Sequence, residues 1–221
     1  MMLCACLAEN TIEKCMEKAS KIDTRMIEHR IDYLDDIGPL DKLYQVIKQP
    51  VVSTIRPKWE GGRYTGSENS RLDIIKKAID AECAAVDIEL STPKENRDAA
   101  VKYAKRKSAL VILSRHVTYG TPSLPELIGL TDMMREQGAD IGKLVTTANT
   151  LEDCNTIMEL QKHSMTMEFP LVSFAMGKIG LLTRVSSLKY GAPFTYVSFG
   201  EETAPGQVNA FVMRMLMEEM I

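Results

Sequence analysis

Two periods of apolar residues alternate along this chain. Short runs rich in β-branched and aliphatic residues occupy positions 2–7, 25–33, 51–55, 84–90, 109–113, 143–146, 169–175 and 194–199. Between them, apolar residues recur every third or fourth position, the spacing of an amphipathic helix. After a cap at Asn10 or Thr11, Ile12, Cys15, Met16 and Ala19 fall on one face. Helical stretches follow at 40–47, 70–80 (with Leu72, Ile75 and Ile79 inward), 95–105, 150–161, 179–188 and 207–220. Another opens at a capping box, Ser123 with Glu126, and ends at Gly138. Pro50 stops the second helix and Gly191 the seventh. Eight strands, each followed by a helix, predict one (β/α)₈ barrel domain over residues 1–221. The competing fold is an open doubly wound sheet, which usually has a glycine-rich first turn. Here that turn is Ala8-Glu9-Asn10.

Strand periodicity also sorts the charges. Alternate residues on a barrel strand face its interior. Glu28, Arg30 and Asp32 share one parity; so do Asp87 and Glu89, Ser114 and His116, and Thr54 and Arg56. Lys143 shares parity with Ile141 and Val145, and His29 takes the opposite one, toward the helices. Ionisable groups thus converge at the C-terminal ends of the strands, where this fold carries its chemistry. Buried there, they must pair with each other or with a ligand. The pattern predicts a site for a small polar, anionic molecule. Each residue alone has a plainer reading. A strand lysine commonly snorkels, a lone histidine commonly hydrogen-bonds, His163 should sit in solvent after its helix, and the methionines fill core.

Composition removes other classes. With 26% charged residues but a net charge of −3, the chain lacks the basic excess of a nucleic-acid-binding domain. No apolar run is long enough to span a bilayer, and the apolar N-terminal stretch is short and lacks a basic leader. Five cysteines with no C-x-x-C pair argue against a disulfide framework or zinc site and for a cytoplasmic location. The three histidines lack metal-ligand spacing.

Several segments, in order, resemble one family, type I 3-dehydroquinate dehydratase. Glu28-His-Arg30-Ile-Asp32 is similar to its E-x-R-x-D strand, and Arg56-Pro-Lys-Trp-Glu60-Gly-Gly62 to its R-x-x-x-E-G-G segment. Asp87-Ile-Glu89 resembles its fourth-strand acidic pair and Ser114-Arg-His116 its histidine motif. Lys143 falls where that family has its imine-forming lysine. The run from Met176 to Arg184 resembles its carboxylate-binding segment, and Thr203-Ala-Pro-Gly-Gln207 its A-P-G-Q loop. Phe174, Tyr196 and Thr203 stand where methionine, phenylalanine and serine are common in it.

The resemblance implies a lyase of the shikimate pathway, in aromatic amino-acid biosynthesis, that converts 3-dehydroquinate to 3-dehydroshikimate. Lys143 forms the Schiff base with the ketone, so that the protonated imine serves as electron sink with no metal or organic cofactor. His116 moves protons, because its intrinsic range lies near neutrality, and Glu60 orients it. Arg184 clamps the substrate carboxylate. Glu28 and Arg30 hold ring hydroxyls with Arg56 nearby at the substrate, and Met176, Tyr196, Thr203 and Gln207 complete the pocket. The glycine-flanked segment 200–206 is expected to close over the substrate. A homodimer is expected from the resemblance and from the methionine-rich last helix, with no nucleic-acid or membrane partner. Three other readings compete: a class I aldolase using the same lysine chemistry, a barrel that binds without turnover, and a metal-dependent hydrolase.

Overall fold

The computed structural model describes residues 2–200 and 206–218. Strands β1 (Leu3–Leu7), β2 (Met26–Arg30), β3 (Val51–Thr54), β4 (Ala85–Glu89), β5 (Leu110–His116), β6 (Ile141–Thr147), β7 (Leu171–Met176) and β8 (Thr195–Ser198) fall inside or beside the predicted runs. Helices α1 (Ile12–Ala19), α2 (Leu40–Val46), α3 (Glu68–Asp80), α4 (Lys94–Arg106), α5 (Leu124–Glu136), α6 (Leu151–Thr166), α7 (Gly177–Lys189) and α8 (Ala210–Glu218) alternate with them.

Every ladder is parallel, and the order is β7-β6-β5-β4-β3-β2-β1-β8-β9, where β9 is Val208–Asn209. A doubly wound sheet would reverse direction at a switch point. Here consecutive strands are neighbours as far as β7, and β8 returns to the side of β1. The sheet is therefore curled. The rings of Phe174 on β7 and Tyr196 on β8 lie 6.2 Å apart, although no ladder joins those strands among the described residues.

Strand alternation produces two cores. Inside the curl, Cys4, Val52, Ala85, Ile112, Val145 and Val172 pack with Phe174, Phe194 and Tyr196. Outside, residues of opposite parity such as Leu7, Ile27, Leu113 and Leu144 pack against helices through Leu43, Ile75, Leu127 and Leu160. Burial of these apolar faces is the main force fixing the strand register, since a one-residue slip would exchange the two cores.

Several boundaries differ from expectation. β2 stops at Arg30, because Ile31–Tyr33 tighten into a 3₁₀ turn closed by the Leu34 N–H on the Ile31 carbonyl. Asp32 therefore leaves the strand parity and instead accepts two hydrogen bonds from the Arg30 guanidinium, at 2.8 and 2.7 Å. α6 runs five residues past 161, so His163 lies within it, half-buried, rather than in solvent beyond it. Residues 208–209 pair with β8, so the last helix begins at Ala210; positions 219–220 of its predicted span lie outside the described residues. On α3 it is Arg71 that is fully buried, and Leu72 is only half-buried.

Candidate active site

The strands end where the charges begin. Hydrogen-bonded register sets Arg30 beside Thr54, Thr54 beside Asp87, Glu89 beside Ser114 and Ser114 beside Lys143. The inward-facing members of β2, β4, β5 and β6 thus converge at the same end of the sheet. A cavity of about 360 Å³ opens there. Glu28, Arg30, Arg56 and Glu60 line one side, and His116 and Lys143 lie in it. Met176, Arg184, Tyr196 and Gln207 complete its wall, together with Phe174. Thr203 and residues 201–205 of the expected closing segment lie outside the described residues.

Lys143 is 4% exposed, and its Nζ donates to Asp87 at 2.8 Å and to Glu28 at 3.2 Å. It also lies 4.0 Å from the centroid of the Tyr196 ring, a cation–π contact. Glu28 further accepts from the Thr54 hydroxyl at 3.0 Å and from the Cys6 thiol at 3.6 Å. Burial raises the Glu28 carboxyl, but Lys143 and then Arg30 outweigh it and hold it below its ordinary range. Asp87 is also drawn down: burial opposes this, and Arg56 and Lys143 overcome it. Arg56, predicted to contact substrate, spends its donors inside the protein. It reaches Asp87 at 2.7 Å, Glu89 at 2.5 Å and the Ser114 hydroxyl at 2.7 Å.

Glu60 reaches the site by way of a tight loop. After β3, Lys58–Glu60 make one 3₁₀ turn that ends at Gly61, whose φ is +81°. The chain then folds back so closely that a Cβ at Gly62 would lie 2.0 Å from the Arg56 carbonyl oxygen. Only glycine fits there. The turn sets the Glu60 carboxylate against the end of β5. One oxygen accepts from the His116 backbone N–H at 2.9 Å and faces Nδ1 of its ring at 3.2 Å. The other accepts from Ser91 at 2.5 Å and Arg115 at 2.8 Å.

Burial pushes the Glu60 carboxyl up, but its bond to His116, then Ser91 and Arg56, bring it down to about 2. The His116 imidazole is lowered to about 4 by burial first and by the Arg56 charge next, with Glu60 opposing. At neutral pH the pair is therefore carboxylate and neutral imidazole. A carboxylate only accepts, so the imidazole proton lies on Nδ1 and Nε2 is left as a base. On the far wall, the Arg184 guanidinium sits 4.0 Å from the centroid of the Phe174 ring.

His29 faces outward, as its parity predicts. It is fully buried, with Nδ1 3.0 Å from the Tyr44 hydroxyl and Nε2 3.7 Å from Cys15, and Tyr44 continues to Ser53 at 2.7 Å. Sequence reasoning missed Ser91, Arg115 and Arg71. Arg115 was legible as the neighbour of His116. Ser91 and Arg71 carried no signal.

The arrangement places a buried amine and a neutral imidazole in one cavity with guanidinium groups on its walls. It suits covalent attack on a carbonyl followed by proton transfer. Comparison with known proteins gives this geometry a setting. Residues 3–220 match the family model described as type I 3-dehydroquinase. A 3-dehydroquinate dehydratase of Desulfotalea psychrophila is 34% identical over 215 residues, covering 96% of this chain and 95% of that protein. The crystal structure of 3-dehydroquinate dehydratase from Geobacillus kaustophilus superposes with a TM-score of 0.93 at 23% identity, covering 99% of this chain and 90% of that one. That of the type I 3-dehydroquinate dehydratase from Clostridium difficile, with covalently modified comenic acid, has a TM-score of 0.92 at 21% identity, covering 99% and 91%.

Proposed function

Because this chain belongs to the type I 3-dehydroquinase family, we propose that it dehydrates 3-dehydroquinate to 3-dehydroshikimate through an imine on Lys143, a step of the shikimate pathway. The observation that carries the reading is the buried Lys143 amine, held by two carboxylates and lining the same cavity as His116.

The chemistry follows from these groups. Lys143 gives up a proton, and its amine attacks the ketone; water leaves, and a protonated imine remains. That cation makes the adjacent C–H acidic. Nε2 of His116 takes the proton, and the electron pair moves into an enamine. Glu60 stabilises the imidazolium that forms. The enamine then expels the β-hydroxyl, which takes the proton from His116 and departs as water. A second water hydrolyses the imine, releasing the enone and regenerating the amine. Lys143 itself supplies the electron sink.

Arg184 pairs with the substrate carboxylate, and Glu28 and Arg30 hold ring hydroxyls, with Met176, Tyr196, Thr203 and Gln207 completing the enclosure. Arg56 lies close to those hydroxyls on the cavity wall, where it also holds Asp87, Glu89 and Ser114.

Closure of the curled sheet into a single-domain (β/α)₈ barrel is supported by the 6.2 Å approach of the Phe174 and Tyr196 rings. A homodimer is supported by exposed Phe211, Val212, Met215 and Leu216 on α8. A cytoplasmic location agrees with five buried cysteines that form no disulfide with one another.

The test is incubation with 3-dehydroquinate, borohydride reduction and mass-spectrometric mapping, with enone absorbance followed in parallel. The expected result is enone formation and a reduced adduct on Lys143. Turnover without any lysine adduct overturns the imine mechanism. An adduct without enone overturns the dehydration.

A further inference from the structure

Beyond the groups that meet substrate, the charges form a chain that leads out of the sheet. We infer that Arg71, on helix α3 and outside the cavity, is a positioning residue for Lys143, acting through Glu89, Arg56 and Asp87. The link to imine chemistry rests on the function proposed above; the link between Arg71 and Lys143 does not.

The geometry is continuous. Arg71 is 1% exposed. Its guanidinium donates to one oxygen of Glu89, whose other oxygen accepts from Arg56 at 2.5 Å. Arg56 spans from Glu89 to Asp87 at 2.7 Å, and Asp87 accepts from Lys143 at 2.8 Å. Ser114 ties Arg56 to Asp87 from the side, at 2.7 and 2.5 Å. Positive and negative groups alternate along the whole path. Arg71 is itself held in a fixed orientation. Two bonds to Glu68, at 2.9 and 2.8 Å, and one to the Thr92 hydroxyl at 2.8 Å leave its fork no freedom to turn.

Glu89 is the sensitive link. It is wholly enclosed; burial pushes its carboxyl up, and Arg56 and Arg71 on either side draw it back toward the carboxylate. A purely structural ion pair would need only one guanidinium there. With two, Arg56 is free to give its second edge to Asp87. Without Arg71, the whole demand of Glu89 falls on Arg56, which is drawn back toward it. Asp87 then loses part of its competing cation and grips the Lys143 ammonium harder. The amine becomes less available for attack on any carbonyl.

The test measures that availability directly. Wild type, Arg71→Met, Arg71→Lys and Glu68→Ala are treated with limiting acetic anhydride near neutral pH. Acetylation of Lys143 is quantified by mass spectrometry against exposed Lys94 in the same molecule. Arg71→Met should slow Lys143 relative to Lys94 by roughly fivefold or more. Arg71→Lys keeps the charge but not the fork, and should recover only part of this. Glu68→Ala disturbs only the outer end of the chain, so it should fold even if Arg71→Met does not, and should slow Lys143 by about twofold to threefold. Dehydration should show lower kcat with KM nearly constant. Variants that lose thermal stability but keep the wild-type labelling ratio, in whichever of them fold, overturn the inference. Absence of dehydratase turnover in wild type would sink the functional reading and leave the labelling result intact.

Discussion

Replacing Glu60 with glutamine is a sharp test of how the imidazole is driven. The carboxylate accepts four hydrogen bonds, two on each oxygen. An amide keeps one acceptor oxygen and replaces the other with a donor. If the oxygen faces His116, both histidine bonds survive; the NH₂ group then meets Ser91, which can rotate to accept, and Arg115, which cannot. Arg115 is about one-third exposed (34%), so water can rehydrate it and the loss there is small. The fold should therefore tolerate the change.

What does not survive is the negative charge 3.2 Å from Nδ1. The charge is needed only when His116 becomes imidazolium, after taking the substrate proton. With charge centres about 5 Å apart and an effective dielectric near 20, the interaction is worth about 3 kcal/mol as an upper value. A loss of about 2–3 kcal/mol from that step lowers kcat roughly 30- to 160-fold. Affinity should change little. Enone absorbance at saturating 3-dehydroquinate gives kcat, and a folded variant within threefold of wild type would refute the role given to Glu60.

Three further outcomes are expected. Lys143→Met should abolish the borohydride adduct and bring turnover to background, while circular dichroism shows a folded protein; a residual adduct on another lysine would move the imine elsewhere. Tyr196→Phe keeps the ring under Lys143 and removes a buried hydroxyl that has no hydrogen-bond partner among the described residues. Its stability should hold or rise by about 1 kcal/mol in chemical denaturation, with kcat within a few-fold, whereas Tyr196→Leu should lose roughly tenfold in kcat. The third concerns pH. Burial lowers the His29 imidazole to about 4, against about 6.5 in the unfolded chain. The unfolded state therefore binds more protons below 6.5, and stability drains as pH falls from 6.5 toward 4. Between pH 7 and 5 this site should cost about 2 kcal/mol, with His116 adding to the same window. Denaturant midpoints should fall over that range, and His29→Gln should flatten the dependence; an unchanged slope would exclude His29 as a source.

Much of this was legible because strand periodicity is rigid. Glu28, His116 and Lys143 face the cavity, Asp87 lies behind them bonded to Lys143, and His29 faces away, as parity alone requires. The reading failed where backbone geometry departs from that period. Asp32 belongs to a turn, so counting by twos misassigns it. Ser91 and Glu60 meet across a loop, and no local rule connects positions 60 and 91. Arg71 was overlooked because a helix was expected to turn only apolar groups inward, whereas a guanidinium with enough partners can be buried as deeply as leucine.

The ion pairs also bear on how the molecule comes together. Glu28 and Lys143 are 115 residues apart in the chain, and Lys143 and Asp87 are 56 apart. Each remains hydrated in the unfolded chain, and neither can be desolvated cheaply without its partner. A half-formed sheet ending at β4 would keep Arg56 on Asp87 but enclose Glu28 against Asp87 with no lysine between the two carboxylates. Partial structures are thus penalised in proportion to how much of the site they bury, and contacts of such long range form late. The cluster that would perform the reaction therefore also acts against stable folding intermediates, so that the two halves of the sheet are expected to unfold as one cooperative unit.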